Sequence, residues 1–187
     1  FLARPRRFGK SLLVSTLKCL FEGRKELFEG LWLAEHGGWE WQPHPVIALS
    51  FTGLSTRTPD KLEQSLSQNL QQIAQDFGVL ARSTIVEVQF KGLIRDLRAK
   101  TGMPVVVLID EYDKPLIDHL GKGEAGLELA RANRELLRGF FGVLKDTAVA
   151  PALRFVFLTG VSRFSRVSIF SELNNLYDLS MDDAYAD

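Results

Sequence analysis

Several features that mark specialised protein classes are scarce or missing in this sequence. Cys19 is the single cysteine among 187 residues, so the chain cannot form an internal disulfide. No stretch approaches the roughly 20 consecutive apolar residues that a membrane-spanning helix needs. The three histidines, at His36, His44 and His119, share no spacing typical of metal ligands, and a zinc site is therefore not predicted.

An excess of charge of either sign is also missing. Lysine and arginine together number 23, and aspartate and glutamate together number 23, which gives a formal net charge of zero. A protein whose main task is to coat nucleic acid would carry an overall positive field, so only a local basic patch could serve that purpose here. Together these absences predict a cytoplasmic protein with no membrane partner.

The composition that is present is that of an ordinary packed domain. Hydrophobic residues make up 45% and charged residues 25% of the chain, close to the globular average. We therefore expect residues 1–187 to form one domain. Because the chain begins with Phe1-Leu2-Ala3, which resembles the tail of a β-strand, we expect a fragment of a longer protein whose N- and C-terminal flanks are missing.

Two kinds of segment alternate along the chain. Short apolar runs rich in β-branched residues predict five strands, at Phe1–Ala3, Val46–Phe51, Val105–Ile109, Phe155–Leu158 and Tyr177–Met181. Apolar residues at spacings of three and four predict helices between them, at residues 11–21, 62–77, 90–97 and 136–144. This alternation is typical of an α/β fold with a mostly parallel sheet.

The segment between the first strand and the first helix is the most informative. It reads Arg4-Pro5-Arg6-Arg7-Phe8-Gly9-Lys10-Ser11. A phosphate-binding loop, or Walker A motif, needs converging backbone N–H groups, a lysine for the phosphate oxygens, a hydroxyl for Mg²⁺ and a helix N-terminus. Gly9-Lys10-Ser11 provides the last three. Arg4 replaces the usual first glycine, so the match is partial, and a basic turn capped by Ser11 is the alternative.

A second motif ends the third predicted strand. Val105–Ile109 is apolar throughout and leads directly into Asp110 and Glu111. In phosphate-loop NTPases such a strand, the Walker B motif, delivers an aspartate that holds Mg²⁺ and, in one large division, a glutamate that polarises the attacking water. The two motifs together predict a nucleotide site, with Ser11 and Asp110 on the metal, Lys10 on the phosphates and Glu111 as the base.

Three segments together resemble the bacterial AAA-ATPase-like proteins, relatives of the STAND and AAA+ NTPases. The segments are Arg4 to Leu12, Leu108 to Pro115, and Leu158 to Ser165 followed by Asn174-Asn175-Leu176. The resemblance covers nearly the whole chain. It implies that Arg4 is the family's own form of the loop, and it implies a three-layer P-loop NTPase with the strand order 5-1-4-3-2. Members commonly carry a C-terminal nuclease-like domain of the PD-(D/E)XK type, which would follow Asp187.

The same resemblance extends the set of candidate site residues. In the implied order the fourth strand lies between the loop strand and the Asp-Glu strand, so its end faces the γ-phosphate of ATP. Thr159 is then the candidate for orienting the attacking water, and Arg163 for sensing phosphate or stabilising charge, within one chain or across a subunit contact. The residues expected to contact the nucleotide are Arg4, Pro5, Arg6, Arg7, Phe8, Gly9, Lys10, Ser11 and Leu12.

The residues just after Glu111 have simpler interpretations. We expect Asp113 and Pro115 to start the next helix, with the Asp113 side chain as its cap and Pro115 at an early position that tolerates a missing N–H. For Tyr112 the alternatives are packing beside the nucleotide and the edge of the core, and we expect the edge of the core. None of these three residues is therefore assigned to the chemistry.

Three functions remain open at this point. The leading hypothesis is an Mg²⁺-dependent ATPase whose cycle switches or drives an attached domain. The second is a nucleotide-binding switch with little or no hydrolysis. The third is a nucleic-acid-binding module that uses Arg4, Arg6, Arg7 and Lys10 as a patch for the phosphate backbone. No motif separates ATP from GTP, and self-association is open in each case.

Overall fold

The computed structural model describes residues 1–162 and 176–181. Its strands are β1 (Leu2–Ala3), β2 (Val46–Ser50), β3 (Val105–Asp110) and β4 (Leu153–Gly160). All pairings between them are parallel, and the order across the sheet is β1-β4-β3-β2. The carboxyl ends of the strands therefore meet at one edge, where α/β folds bind their ligands.

Helices connect these strands. They are α1 (Lys10–Phe21), α2 (Trp32–Glu35), α3 (Pro59–Asp76), α4 (Val86–Thr101), α5 (Lys114–Ile117) and α6 (Gly123–Gly142). The predicted spacing in α3 corresponds to a buried stripe, because Leu62, Leu66 and Leu70 are all fully buried. Within the described residues, none of the helices combines the length and apolar character that crossing a bilayer requires.

The helices lie on both faces of the sheet, so the three-layer α/β prediction is confirmed. Alternate side chains of β3 point to opposite faces: Val106 and Leu108 pack with Phe21 of α1, whereas Val107 belongs to the larger core formed with α3, α4 and α6. Every residue of β3 is buried, as its apolar sequence predicts for a strand covered on both sides.

The predicted fifth strand is not formed in residues 176–181, where Leu179–Met181 is a 3₁₀ helix. The segment nevertheless lies beside β1, since Phe1 N donates to Tyr177 O and Leu179 N donates to Phe1 O, both at 2.9 Å. The next donor, Ala3 N, bonds to the Ser180 hydroxyl oxygen at 2.8 Å. A side chain thus replaces the carbonyl that a strand would present, and backbone pairing stops. The structure gives a four-strand order in the described residues.

Candidate functional site

The loop between β1 and α1 ends in a left-handed turn. Gly9 lies at the N-cap of α1 with φ 70°, a conformation that glycine adopts without a Cβ penalty. No described side chain caps α1, and its first turn has no acidic residue, so backbone N–H groups and the positive end of the helix dipole face the loop. Arg7 also has φ 70°, and such strain is typical of ligand-binding turns.

The Lys10 side chain is turned into this loop and is only 6% exposed. Its Nζ donates to the carbonyl oxygens of Arg4 (2.9 Å) and Pro5 (2.8 Å). A buried ammonium group is costly unless it is hydrogen-bonded, and these two carbonyls satisfy two of its three protons. The loop therefore holds a cation beside the N-terminus of α1, where it can interact with an anion.

Ser11 and Asp110 are in direct contact although 99 residues separate them in the chain. Ser11 Oγ donates to Asp110 Oδ2 at 2.5 Å. Asp110 is 5% exposed, and its other oxygen, Oδ1, is buried with no hydrogen-bond partner among the described residues. A hydroxyl and a carboxylate with a spare oxygen are ligands that suit Mg²⁺. The structure thus brings together the two side chains predicted to share a metal.

The sheet register explains this contact. Asp110 ends β3 and is paired with Thr159 of β4, which is paired in turn with Leu2 of β1. Asp110 continues the alternation of Val106 and Leu108, so its side chain lies on the face that α1 covers. Ser11 belongs to the first turn of α1 and meets Asp110 there.

Thr159 lies at the same level of the sheet and on the same face as Asp110. Its side chain is fully buried, and Oγ1 has no hydrogen-bond partner in the described residues. A buried hydroxyl without a partner costs about 1–3 kcal/mol. Asp110 Oδ1 and Thr159 Oγ1 thus both lack a partner in the part of the chain that the structure describes, and a ligand bound at this edge would satisfy them.

Glu111 occupies a strained turn just beyond β3, with φ 53°. Its Oε2 accepts a hydrogen bond from Thr52 Oγ1 at 2.9 Å. Thr52 follows the end of β2, the neighbour of β3, and therefore reaches the same edge of the sheet. Thr52 is not among the residues that the sequence motifs predict. The signal that could have found it is a polar residue just past a strand predicted to lie beside β3.

Comparison with known proteins gives the family of the chain. The family described as "Predicted AAA-ATPase" matches residues 1–170. The chain belongs to the AAA-ATPase-like family. A relative from Azotobacter chroococcum mcd 1, named "Uncharacterized protein in vnfD 5'region", is 44% identical over 187 residues. The chain spans 35% of the length of that relative, whose name assigns it no activity. No solved structure matches the chain.

The site of this AAA-ATPase-like chain fits a nucleotide with its metal. Within the described residues, no group of three or more His, Cys, Asp or Glu side chains could hold a metal by itself. Mg²⁺ is commonly bound by one or two protein ligands, with phosphate and water oxygens completing the shell. Ser11 and Asp110 supply such a partial set, and Lys10 and the N-terminus of α1 supply the positive charge that phosphates need.

The other predicted loop residues are spread around the rim of the site. The Arg4 backbone N–H donates to Gly160 O at 3.2 Å, and its guanidinium donates to Ser180 O, so Arg4 ties the start of the loop to the end of β4 and to the 3₁₀ helix at Leu179–Met181. Phe8 and Leu12 are 64% and 71% exposed. Pro5, Arg6 and Arg7 are exposed as well. Arg163 lies outside the described residues.

Tyr112 and Asp113 have roles that differ from the predicted ones. Asp113 occupies the cap position of α5, but its side chain makes no cap hydrogen bond there. Its carboxylate is buried and bonds to the backbone of Val161 and Ser162 instead, because β4 exits directly over this turn and offers two consecutive N–H groups. Tyr112 is fully buried in the core, not at its edge.

Burial raises the pKa of Asp113 above its usual value. Hydrogen bonds from the backbone of Ser162, Val161 and Asp113 itself oppose this rise in pKa, and the nearby charge of Glu111 adds to it. Ionising the buried Asp113 side chain therefore costs more free energy than ionising an exposed aspartate.

Proposed function

We propose that this domain binds ATP with Mg²⁺ and hydrolyses it, and that the cycle switches or drives an attached domain. The observation that carries the proposal is the contact of Ser11 with Asp110 at 2.5 Å, beside a buried Lys10 at an uncapped helix N-terminus. Three groups that phosphate and Mg²⁺ require are thereby assembled from two distant parts of the chain.

Each side chain has a distinct task in this proposal. Lys10 exchanges the carbonyls of its loop for phosphate oxygens, and the backbone of the loop and α1 orients the triphosphate. Ser11 and Asp110 hold Mg²⁺, which neutralises charge on the phosphate oxygens. Thr159 orients the attacking water through its hydroxyl, which has no partner among the described residues.

Glu111 accepts the proton of that water. Thr52 fixes its Oε2, while Oε1 makes no hydrogen bond to a described residue and is the oxygen that can receive the proton. A general base placed in this way contributes about 10² to 10⁴ to the rate. The strained backbone of Glu111, with φ 53°, keeps the carboxylate at the sheet edge.

A nucleotide-binding switch with little hydrolysis is the second candidate, and the Thr52 bond favours it. While Thr52 donates to Oε2 of Glu111, that oxygen is occupied and cannot take a proton from the attacking water. A domain that keeps this bond with ATP in place would bind the nucleotide and turn it over slowly.

Two substitutions test the proposal. Lys10→Ala should abolish ATP binding in a fluorescent-nucleotide titration, because the phosphates lose their lysine and Ala has no charge to replace it. Glu111→Gln should keep ATP binding and lower kcat by about 10² to 10⁴, since it preserves shape and removes the base.

Glu128→Gln, on the exposed part of α6, is the matched control and should behave as the wild type. Equal ATP affinity of wild type and Lys10→Ala would reject the phosphate loop. Tight binding with no turnover in the wild type, and no further loss in Glu111→Gln, would select the switch.

A further inference from the structure

The turn after β3 and the exit of β4 are joined by hydrogen bonds that the proposed chemistry does not use. Asp113 Oδ2 accepts the backbone N–H groups of Val161 (2.9 Å) and Ser162 (2.5 Å). The Tyr112 hydroxyl donates to Ser162 O at 2.9 Å, and Tyr112 N donates to Thr159 O at 3.2 Å. We call the group formed by Tyr112, Asp113, Val161 and Ser162 the turn clamp.

The turn clamp is packed so closely that the strand beneath it must end in glycine. A Cβ atom at Gly160 would lie 2.6 Å from Tyr112 Cε1 and 2.7 Å from Asp113 Oδ1. Separations this short do not occur between real side-chain and ring atoms, so any larger residue would push the two segments apart. Gly160 therefore allows the clamp to close.

The clamp is also costly, which argues against a merely local role for Asp113. Asp113 as a whole residue is 1% exposed, and its Oδ1 has no hydrogen-bond partner among the described residues. An exposed aspartate at the same position could start α5 without losing its hydration. Asp113 Oδ2 nonetheless joins two distant segments through two backbone N–H groups, and buried polar contacts of this kind are retained in some proteins because they fix one arrangement of the segments they join.

The two segments that the clamp joins carry the candidate catalytic residues. Glu111 directly precedes Tyr112, and Thr159 directly precedes Gly160. We propose that Asp113 and Tyr112 are positioning residues, which hold Glu111 and Thr159 at a fixed separation around the γ-phosphate and thereby let the domain distinguish ATP from ADP. This inference rests on the proposed function and adds to it the contacts through which the domain senses the third phosphate.

The test uses the full chain and the variants Asp113→Asn and Tyr112→Phe, which keep side-chain shape. Affinities for ATP and ADP are measured separately with Mg²⁺, and amide hydrogen exchange is followed at Val161 and Ser162. Both variants should bind ADP as the wild type does, bind ATP about tenfold more weakly, and exchange these two amides faster. The ratio of the two affinities reports on the γ-phosphate even where hydrolysis is slow.

Asp146→Asn is the matched control. Asp146 also accepts a backbone N–H, that of Ala148 at 2.8 Å, and it pairs with Lys91 away from the site. We expect wild-type affinities for both nucleotides. If Asp113→Asn does not fold, Tyr112→Phe, which loses one hydroxyl, decides the question.

Two results would overturn the inference, and they are distinguishable. If the wild type binds no ATP, the proposed function fails and the inference fails with it. If the wild type binds ATP and the variants keep its ATP-to-ADP ratio, the turn clamp has no role in sensing phosphate, whether or not the amides exchange faster.

Discussion

The two faces of the sheet differ in how they are covered. One face is packed by three long helices, α3, α4 and α6, into a large apolar core. The other is covered by α1 with a small apolar cluster, and it carries the buried oxygens of Asp110 and Thr159 that have no partner in the described part of the chain. Apolar burial on the helix-rich face stabilises the fold. The buried polar groups of the α1 face, which are placed where a ligand can reach them, offset part of that stabilisation.

This division follows from what each face must do. Apolar burial is favourable in proportion to area, so a face with no other task is best filled with side chains such as Phe90 and Phe140, whose rings stack at 4.5 Å. A site for phosphate and metal needs unpaired polar atoms and strained turns, which each cost free energy. Removing an apolar side chain from the first face should therefore lower stability, whereas removing a buried polar group that has no partner in the described residues from the α1 face should raise it.

The largest effect is expected on the helix-rich face. Phe90→Ala removes a fully buried ring of α4 and should lower the free energy of unfolding by about 3–5 kcal/mol. Val88→Ala, two residues away and 52% exposed, is the control and should change it by about 0.5 kcal/mol or less. Urea denaturation measures both, and equal effects would mean that α4 does not carry the core.

An effect of opposite sign is expected on the α1 face. Thr159→Val removes the buried hydroxyl that has no described partner, so it should raise the free energy of unfolding by about 1–3 kcal/mol while reducing ATP turnover. Thr101→Val is the control, because its hydroxyl donates to Leu97 O at 2.8 Å, and it should be destabilising. A less stable Thr159→Val protein would show that this hydroxyl is not a cost to the fold.

The smallest effect is expected away from both faces, where the end of α5 meets the loop after β2. Burial raises the pKa of Asp118, but hydrogen bonds from Lys114 and Thr56 outweigh it and hold that pKa below its usual value of 3.8. A lowered pKa stabilises the fold above the unfolded value, and the contribution is lost as the pH falls through the folded pKa.

The corresponding variant is Asp118→Asn. It should cost about 0.5–1 kcal/mol of unfolding free energy at pH 7, and the difference from the wild type should shrink below pH 3.8. Denaturation curves at neutral and acid pH measure it. A difference that stays constant with pH would assign the effect to packing rather than to charge.

Much of the fold could be predicted because its signals are local. The spacing of Leu62, Leu66 and Leu70 predicts α3 by itself, and the apolar run of β3 predicts a strand buried on both faces. Gly9, Lys10 and Ser11 predict a left-handed turn followed at once by a helix, because glycine permits that turn, and α1 does begin at Lys10. These properties depend on residues close together in the chain, so periodicity and turn chemistry are sufficient to predict them.

The remaining features were decided by contacts between distant segments. The segment at Tyr177–Met181 has a strand-like sequence, yet Ser180 uses its side chain to bond β1, and a 3₁₀ helix results. The bond from Thr52 to Glu111 depends on β2 lying beside β3. Asp113 looks like a helix cap in the sequence. It becomes part of a buried clamp only because the chain just after β4 presents two backbone N–H groups to it.

By itself, the sequence determined which local structures form and which chemical groups they carry. The tertiary structure decided which of those groups meet, because packing determines which remote segments supply the hydrogen-bond partners.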